Sequence, residues 1–119
     1  MDRYNEIMKK LMDFRHERDW EKFHTPKNLS MGLAIEASEL MQEFLWKNDV
    51  EIDEKIKNSP ESVVDEIADV AVYLMMLSHD IGINLFDAIE KKMKKNAAKY
   101  PVEKCKGKAA KYTEYIDKD

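Results

Sequence analysis

The chain contains 119 residues, with 44% hydrophobic and 37% charged side chains and a formal net charge of −4. A chain of this length buries roughly two-thirds of its unfolded surface, so a single domain over residues 1–119 is expected. Three glycines and three prolines are too few for a β-sandwich, a barrel or a disordered chain, and abundant Ala, Leu, Glu, Lys and Met favour an all-α fold.

Cysteine content and hydropathy exclude further classes. Cys105 is the single cysteine, so no internal disulfide can form, and three scattered histidines cannot complete a zinc site with it. Any metal ion would therefore be held by oxygen. No apolar run approaches the roughly 20 residues that span a bilayer, and residues 1–6 begin no signal peptide, so we expect a cytoplasmic protein with no membrane partner.

Hydrophobic periodicity and punctuation residues predict four helices. The first covers about residues 2–20, where apolar side chains recur at helical spacing. The second covers about residues 26–47. Thr25 can cap this helix, and Pro26 can occupy its first turn without losing a needed hydrogen bond.

A polar connection and a third helix follow. Residues 48–58 are acidic and turn-rich, and we expect only a short helical turn there, at residues 52–56. Ser59 followed by Pro60 predicts a capped helix start, and apolar periodicity extends the third helix to about residue 80.

The fourth helix and a basic tail complete the chain. Gly82 supplies the left-handed residue that ends the third helix, and Asn84 with Asp87 resembles a start signal for the fourth, which reaches about residue 98. The tail from residue 102 is expected to be irregular, with a helical turn at residues 109–115.

The third helix is apolar on nearly every side between Ile67 and Leu77. A domain this small cannot easily surround such a helix. We therefore expect a four-helix bundle whose apolar third helix is partly covered by other subunits.

Charge is segregated along the sequence. Residues 91–111 contain nine lysines and one acid, Glu103, so the rest of the chain is acidic. This division is typical of a site where acids hold metal ions and lysines meet a polyanionic substrate, but a solvated lysine-rich tail explains it equally well.

Two pairs of acids border the apolar stripes of neighbouring helices. Glu36, Glu39 and Glu43 fall on one ridge of the second helix, and Glu66 and Asp69 lie one turn apart on the third. Antiparallel packing would gather four of these carboxylates into a half-buried cluster. Like charges at that separation are costly unless they are protonated or bridged by a cation.

All-oxygen ligation points to Mg²⁺, with Mn²⁺ as a second choice, and Mg²⁺ commonly shares its ligand shell with substrate phosphates. The spacing therefore indicates phosphate chemistry, although acids three residues apart are common in highly charged helices. A di-iron bundle is a competitor, but it requires Glu-x-x-His on two helices, and here Glu39 and Asp69 occupy the third place.

These residues also resemble a known family. Glu36-x-x-Glu39, a gap of 26 residues and Glu66-x-x-Asp69 are similar to the signature of the MazG-like all-α nucleoside triphosphate pyrophosphohydrolases. The resemblance covers about residues 10–115 and is most similar to the dCTP pyrophosphatase branch. Its further motifs are RDWEKFH at 18–24, PKNL at 26–29, FLWK at 44–47, DEIADV at 65–70, KYP at 99–101 and KYTE at 111–114.

The resemblance implies hydrolysis of a nucleoside triphosphate between its α and β phosphates, releasing a monophosphate and pyrophosphate. It implies that Glu36, Glu39, Glu66 and Asp69 hold Mg²⁺ and form the catalytic centre, with Glu39 as the expected general base. It further implies a homotetramer, a pyrimidine deoxynucleotide such as dCTP as substrate, a role in cleaning the nucleotide pool, and no nucleic-acid partner.

Substrate contacts are implied by the same resemblance. Trp20 and Trp46 match tryptophans that line a nucleobase slot, where stacking contributes about 1 to 3 kcal/mol per base. Each could instead be ordinary packing, and Tyr73 is equally consistent with a sugar or phosphate contact and with the core. The remaining expected substrate contacts are His24, Asn28, Lys92, Asn96, Lys99 and Tyr100.

Two other functions stay open from the residues. The chain could be a non-enzymatic helical interaction module, whose acids are surface charge and whose basic tail binds a partner or nucleic acid. It could also be a carboxylate-bridged redox bundle, which would bind iron and be coloured.

Overall fold

The computed structural model describes residues 1–114 and confirms the all-α expectation, since its regular elements over those residues are all helical. Five helices have ten residues or more. In chain order they are α1 (Arg3–Glu17), α2 (Pro26–Gln42), α3 (Asp49–Asn58), α4 (Glu61–Asp80) and α5 (Leu85–Lys99), followed by the short α6 (Val102–Cys105). Two 3-10 turns cover Glu21–Phe23 and Tyr112–Glu114.

α1 and α2 both end earlier than predicted, and a residue with a left-handed backbone conformation follows each of them within four residues. Asp19 has φ 54°, and the Trp20 N–H turns back to the Arg15 carbonyl at 3.2 Å, which places Trp20 outside α1. Trp46 has φ 66° and lies in a series of turns after Gln42. Positive φ is uncommon for residues other than glycine, and apolar periodicity alone gave no sign of these breaks.

The expectation of a turn-rich connection at residues 48–58 is wrong, since α3 is a full helix. Its start is a capping box: the Asn48 side chain accepts from the Glu51 N–H at 2.9 Å, and the Glu51 carboxylate accepts from the Asn48 N–H at 3.2 Å. Acids in its first turn and Lys55 and Lys57 in its last complement the helix dipole.

Two of the three predicted helix caps are confirmed, and the third is wrong. Thr25 and Asn84 each accept a backbone N–H three residues on, as capping residues do, and Gly82 has φ 76°, as expected. Ser59 does not cap α4; its N–H donates to the Lys55 carbonyl at 2.8 Å and ends α3, while Pro60 precedes α4 without a side-chain cap.

The tail differs from expectation in containing α6, a single helical turn, where no regular structure was expected. The 3-10 turn Tyr112–Glu114 falls within the predicted turn at residues 109–115, and residue 115 lies outside the described residues.

The chain divides into two compact units, Met1–Gly82 and Ile83–Asp119. In the first unit α4 packs against α2 and α1. α2 and α4 run antiparallel, because Gly32 lies opposite Tyr73 while Glu36, one turn later, lies near Glu66, which is earlier in α4. A Cβ at Gly32 would come within 2.5 Å of the Tyr73 ring, so glycine permits this close helix contact.

The core of the first unit is small. Met8, Leu29, Val63 and Met76 are its buried apolar side chains among the described residues. The opposite side of α4 is exposed in the single chain, since Ile67 and Val64 retain more than half of their accessible surface. The apolar character that the sequence showed on all sides of this helix thus divides into a packed face and an open one.

The second unit consists of α5, α6 and the chain that follows them. Asn84 caps α5 by accepting from the Asp87 N–H at 3.1 Å. The Cys105 thiol donates to the Tyr100 carbonyl at 3.3 Å, which ties α6 to the end of α5. No helix among the described residues is long and apolar enough to cross a membrane.

Candidate active site

Three glutamates meet where α2 faces α4. Glu36 and Glu39 lie one turn apart on α2, and Glu66 lies on α4. Each offers one carboxylate oxygen, and these oxygens all lie within 4.8 Å of one another. Two helices thus contribute acids to one point, because their antiparallel packing brings the middle of α2 beside the beginning of α4.

Burial and the neighbouring carboxyls disfavour the charged forms of Glu36 and Glu66. Burial is the largest cause that raises the pKa of Glu36 to about 7, and the neighbouring carboxyls of Glu39, Glu66 and Asp69 raise it further. Burial also raises the pKa of Glu66, to which the charges of Glu39 and Asp69 add. Without a cation, the cluster holds a proton more readily than ordinary glutamates do.

The cluster also contains polar atoms without partners. Oε2 of Glu36 and Oε2 of Glu66 are both buried, and neither accepts a hydrogen bond from any described residue. A buried, unpaired carboxylate oxygen is costly, since it loses its hydration and gains nothing in return. The residues therefore fit a hard divalent cation, which would supply the missing positive charge to an all-oxygen donor set.

Asp69, the fourth predicted acid, lies outside the group of three. It is exposed on α4 one turn after Glu66, and its charge acts on both Glu36 and Glu66. Asp69 is therefore close enough to act on the cluster electrostatically, and its role as a metal ligand stays a prediction.

Glu43, on the same ridge as Glu36 and Glu39, is already neutralised. Lys55 of α3 lies 2.8 Å from its carboxylate, and the Ser62 hydroxyl donates to it at 3.0 Å. The hydrogen bond from Lys55 is the main cause that lowers the pKa of Glu43. Sequence analysis missed Lys55 because the segment that carries it was not expected to be a helix.

Trp20 and His24 form an aromatic wall after α1. The Trp20 ring meets Phe14 edge-on, with centroids 5.8 Å apart, and its centroid is 6.1 Å from that of His24. The Arg18 guanidinium lies over the Phe14 ring at 3.6 Å. Trp20 stays 40% exposed, so one part of its ring is open to a ligand.

The other predicted contacts of the first unit have different surroundings. The Asn28 amide donates to the Phe23 carbonyl at 2.9 Å and so holds the turn before α2. Tyr73 packs against Gly32, which agrees with its reading as a core residue. Trp46 is 92% exposed and contacts little of its own unit.

The remaining predicted contacts belong to the second unit. Lys92, Asn96 and Lys99 lie on α5 at spacings of four and three residues, so they share one side of that helix. Tyr100 follows directly and is 39% exposed.

Sequence reasoning also missed a partly buried ion pair. Arg15, 6% exposed, donates from Nη1 and Nη2 to the two oxygens of Asp80, at 2.7 Å and 2.8 Å. The only available signal was an arginine on the apolar side of the first helix, which is ambiguous because long side chains often reach solvent from such positions.

Fold and site together define a class: an all-helical protein in which two antiparallel helices present a cluster of carboxylates suited to a divalent cation. The sequence profile of the MazG-like family matches residues 32–115, and the chain belongs to this family, as its motifs predicted.

Similar proteins carry related names. The chain is 38% identical over 104 residues to dCTP pyrophosphatase 1 of Rattus norvegicus and 36% identical over 104 residues to that of Homo sapiens, covering 86% of this chain in each case. It spans 61% of the length of these relatives. The crystal structure of a pyrophosphatase from Archaeoglobus fulgidus aligns with a TM-score of 0.80 and 39% identity, covering 85% of this chain and 94% of that one.

Proposed function

We propose that this protein is a Mg²⁺-dependent nucleoside triphosphate pyrophosphohydrolase that releases a nucleoside monophosphate and pyrophosphate. The observation that carries the proposal is the cluster of Glu36, Glu39 and Glu66, whose oxygens lie within 4.8 Å of one another and include buried atoms without partners. Membership of the MazG-like family and the names of the relatives support the same chemistry.

The proposed metal ligands are Glu36, Glu39, Glu66 and Asp69, and Mn²⁺ is an alternative ion. When bound, the metal would neutralise phosphate charge and polarise the phosphorus that is attacked. Glu36 and Glu66 each place one oxygen in the interior, so they serve mainly to bind. We assign to Glu39 the removal of a proton from the attacking water.

Nucleotide binding is assigned to two sets of residues. Trp20, with His24 at its edge, and Trp46 would stack on the base, since both tryptophans leave ring surface open. Lys92, Asn96, Lys99 and Tyr100 would contact phosphates or sugar, with cationic groups from the lysines. Asn28 and Tyr73 would act mainly by supporting this site, since each contacts its own unit.

A pyrimidine deoxynucleotide such as dCTP is the proposed substrate, and removal of surplus or non-standard nucleotides in the cytoplasm is the proposed role. The names of the mammalian relatives support dCTP. An aromatic slot alone separates similar bases by only a few kcal/mol, so polar contacts to the base edge must supply the rest.

A homotetramer built on a four-helix arrangement is the proposed assembly. The exposed apolar side of α4, which includes Val64, Ile67 and Leu74, supports association, because a monomer would leave this surface in water. Light scattering at several protein concentrations tests the assembly, and a monomer throughout would refute it.

The deciding experiment incubates the protein with Mg²⁺ and a panel of ribo- and deoxynucleoside triphosphates and separates all phosphate-containing products. Monophosphate plus pyrophosphate is expected, with loss of turnover on chelation and in Glu36→Gln. Glu61→Gln, which neutralises an exposed acid at the start of α4, is the matched control and should keep full activity. A folded protein that turns over none of the nucleotides would favour the interaction module.

A further inference from the structure

The aromatic wall of Trp20 and His24 depends on a residue that lies behind it. Arg15, in the last turn of α1, joins both oxygens of Asp80 at the end of α4 through two short hydrogen bonds, and its Nη2 also lies 3.3 Å from Met12 Sδ. The pair is well shielded, with side-chain exposures of 8% and 22%. It locks the end of one helix to the end of another.

The backbone of Arg15 anchors the segment that carries the wall. Its carbonyl accepts the N–H groups of both Arg18 and Trp20, each at 3.2 Å. Asp19 between them has φ 54°, a left-handed conformation that aspartate adopts more readily than most residues and that turns the chain back toward Arg15. A shift of Arg15 would therefore move Trp20 directly.

His24 responds to the same pair through its charge. The ring is partly buried, and Nδ1 is buried without a hydrogen-bond partner among the described residues. Burial is the main cause that lowers the pKa of His24, and the Arg15 charge lowers it further, while Asp80 and Glu21 act in the opposite direction. These charges act on the imidazole from α1, from the end of α4 and from the 3-10 turn.

We propose that Arg15 is a positioning residue for nucleotide binding: paired with Asp80, it holds the Trp20 ring and the His24 imidazole in the arrangement that receives the base. The inference rests on the proposed function for its consequence in binding, but the arrangement of the wall can be measured without substrate.

The test compares three changes at the pair. Arg15→Gln removes the charge, Arg15→Lys keeps the charge but not the two parallel hydrogen bonds, and Arg15→Asp with Asp80→Arg exchanges the partners. Asp13→Asn is the matched control, since it breaks an exposed ion pair with Lys9 on the same helix. Circular dichroism establishes that each variant is folded.

Kinetics provide the first readout. Arg15→Gln should raise KM about tenfold with kcat nearly unchanged. This change corresponds to the lower part of the free-energy range that stacking of one base contributes. The KM of Arg15→Lys should lie between that of Arg15→Gln and that of the wild type. The double variant Arg15→Asp with Asp80→Arg should have a KM close to the wild-type value. Folded Arg15→Gln and Arg15→Lys proteins with wild-type KM, or with KM unchanged while kcat falls, would overturn the proposal.

Spectroscopy provides the readout that needs no turnover. In Arg15→Gln the pKa of His24, followed by NMR, should rise because Asp80 and Glu21 then act unopposed, and Trp20 emission should shift in a Trp46→Phe background. Asp13→Asn should leave both signals unchanged. Wild-type protein without turnover would refute the proposed function, whereas unchanged His24 and Trp20 signals in Arg15→Gln would refute the positioning role.

Discussion

Two groups of side chains contain the glutamates of one ridge, and they differ in what neutralises the charge: Glu43 groups with Lys55 and Ser62, while Glu36 and Glu39 group with Glu66. At the end of α2, Glu43 meets Lys55 at 2.8 Å and the Ser62 hydroxyl at 3.0 Å, and its pKa is lowered. Within the helix, Glu36 meets other acids, and its pKa is raised to about 7, chiefly by burial. Of the glutamates on this ridge, Glu43 helps to stabilise the fold because a lysine lies beside it. Glu36 has no such cation, and one of its carboxylate oxygens has no hydrogen-bond partner among the described residues.

The difference separates structural acids from acids available for function. A charge that pairs internally helps to hold the fold, while an unpaired, half-buried cluster reduces stability unless something outside the chain compensates it. The candidate metal site is therefore recognised by the absence of an internal partner among the described residues, as well as by acidity.

The largest expected effect comes from neutralising Glu66, another acid of the unpaired cluster. Glu66→Gln should lower turnover about 100-fold or more, because loss of one metal ligand removes several kcal/mol of transition-state stabilisation. It should also weaken Mg²⁺ binding in calorimetry. Asp53→Asn, an exposed acid on α3, serves as the control. Equal Mg²⁺ affinity in wild type and Glu66→Gln would contradict the assignment.

The pH dependence of stability should separate the two groups next. The pKa of Glu36 in the folded state, about 7, exceeds its ordinary value of 4.5, so the folded protein binds more protons between these values. Its contribution to the free energy of unfolding is present below about pH 4.5 and is lost as pH rises through 7. In the absence of metal, Glu36 should therefore make the melting temperature fall as pH rises from about 4.5 to about 7.

Two comparisons isolate the contribution of Glu36. Glu36→Gln should remove this fall in melting temperature with pH. Mg²⁺ should raise the melting temperature more at pH 8 than at pH 5, because the ion binds the charged carboxylates. Glu43, whose pKa is lowered, contributes with the opposite sign, since its stabilisation is lost as pH falls below its ordinary value. Identical pH profiles for wild type and Glu36→Gln would show that the cluster is not under strain.

Breaking the satisfied group should have a smaller effect, and on stability alone. Lys55→Met should reduce the free energy of unfolding by a small amount, because it leaves the Glu43 carboxylate with only the Ser62 hydroxyl as partner. Urea unfolding measures this, with Lys57→Met, an exposed lysine on the same helix, as control. A large loss of turnover in Lys55→Met at intact fold would show that the two groups are coupled.

The smallest effect should come from the cap of the helix that delivers Lys55. Asn48→Ala removes one half of the capping box of α3 and should cost about 1 kcal/mol of stability, whereas Asn48→Asp should keep most of it. Unfolding curves of both variants check the prediction. Equal destabilisation by alanine and aspartate would mean that the side-chain oxygen of Asn48 contributes little.

Particular residues show how much of the fold and of the candidate site could be predicted from the sequence. Acid spacing identified Glu36, Glu39 and Glu66, because a helical period fixes which side chains share a face before any tertiary contact forms. The same spacing predicted Asp69, which lies outside the group of three and stays a predicted ligand. The substrate contacts rest on the family resemblance and also stay predictions. The local signals of Thr25, Gly82 and Asn84 were correct, since capping and left-handed turns depend on neighbouring residues alone.

The errors have an equally physical origin. The acidity of residues 48–58 concealed a helix whose start is a reciprocal cap and whose end is completed by Ser59. Turns at Asp19 and Trp46 require positive φ, which no apolar pattern reports. Neither composition nor apolar periodicity reports a reciprocal side-chain cap or a left-handed turn at a residue other than glycine.

By itself, the sequence determined the all-helical class and placed the acids of each helix on one face, because both follow from composition and period, and its motifs carried the resemblance to the family. Only the tertiary structure decided which acids are paired. Lys55 reaches Glu43 from the next helix along the chain, and Arg15 of α1 reaches Asp80 at the end of α4, while Glu36 and Glu66 meet each other instead. Burial and the identity of the opposing side chain set the energy of a charge, and both are properties of the packed chain.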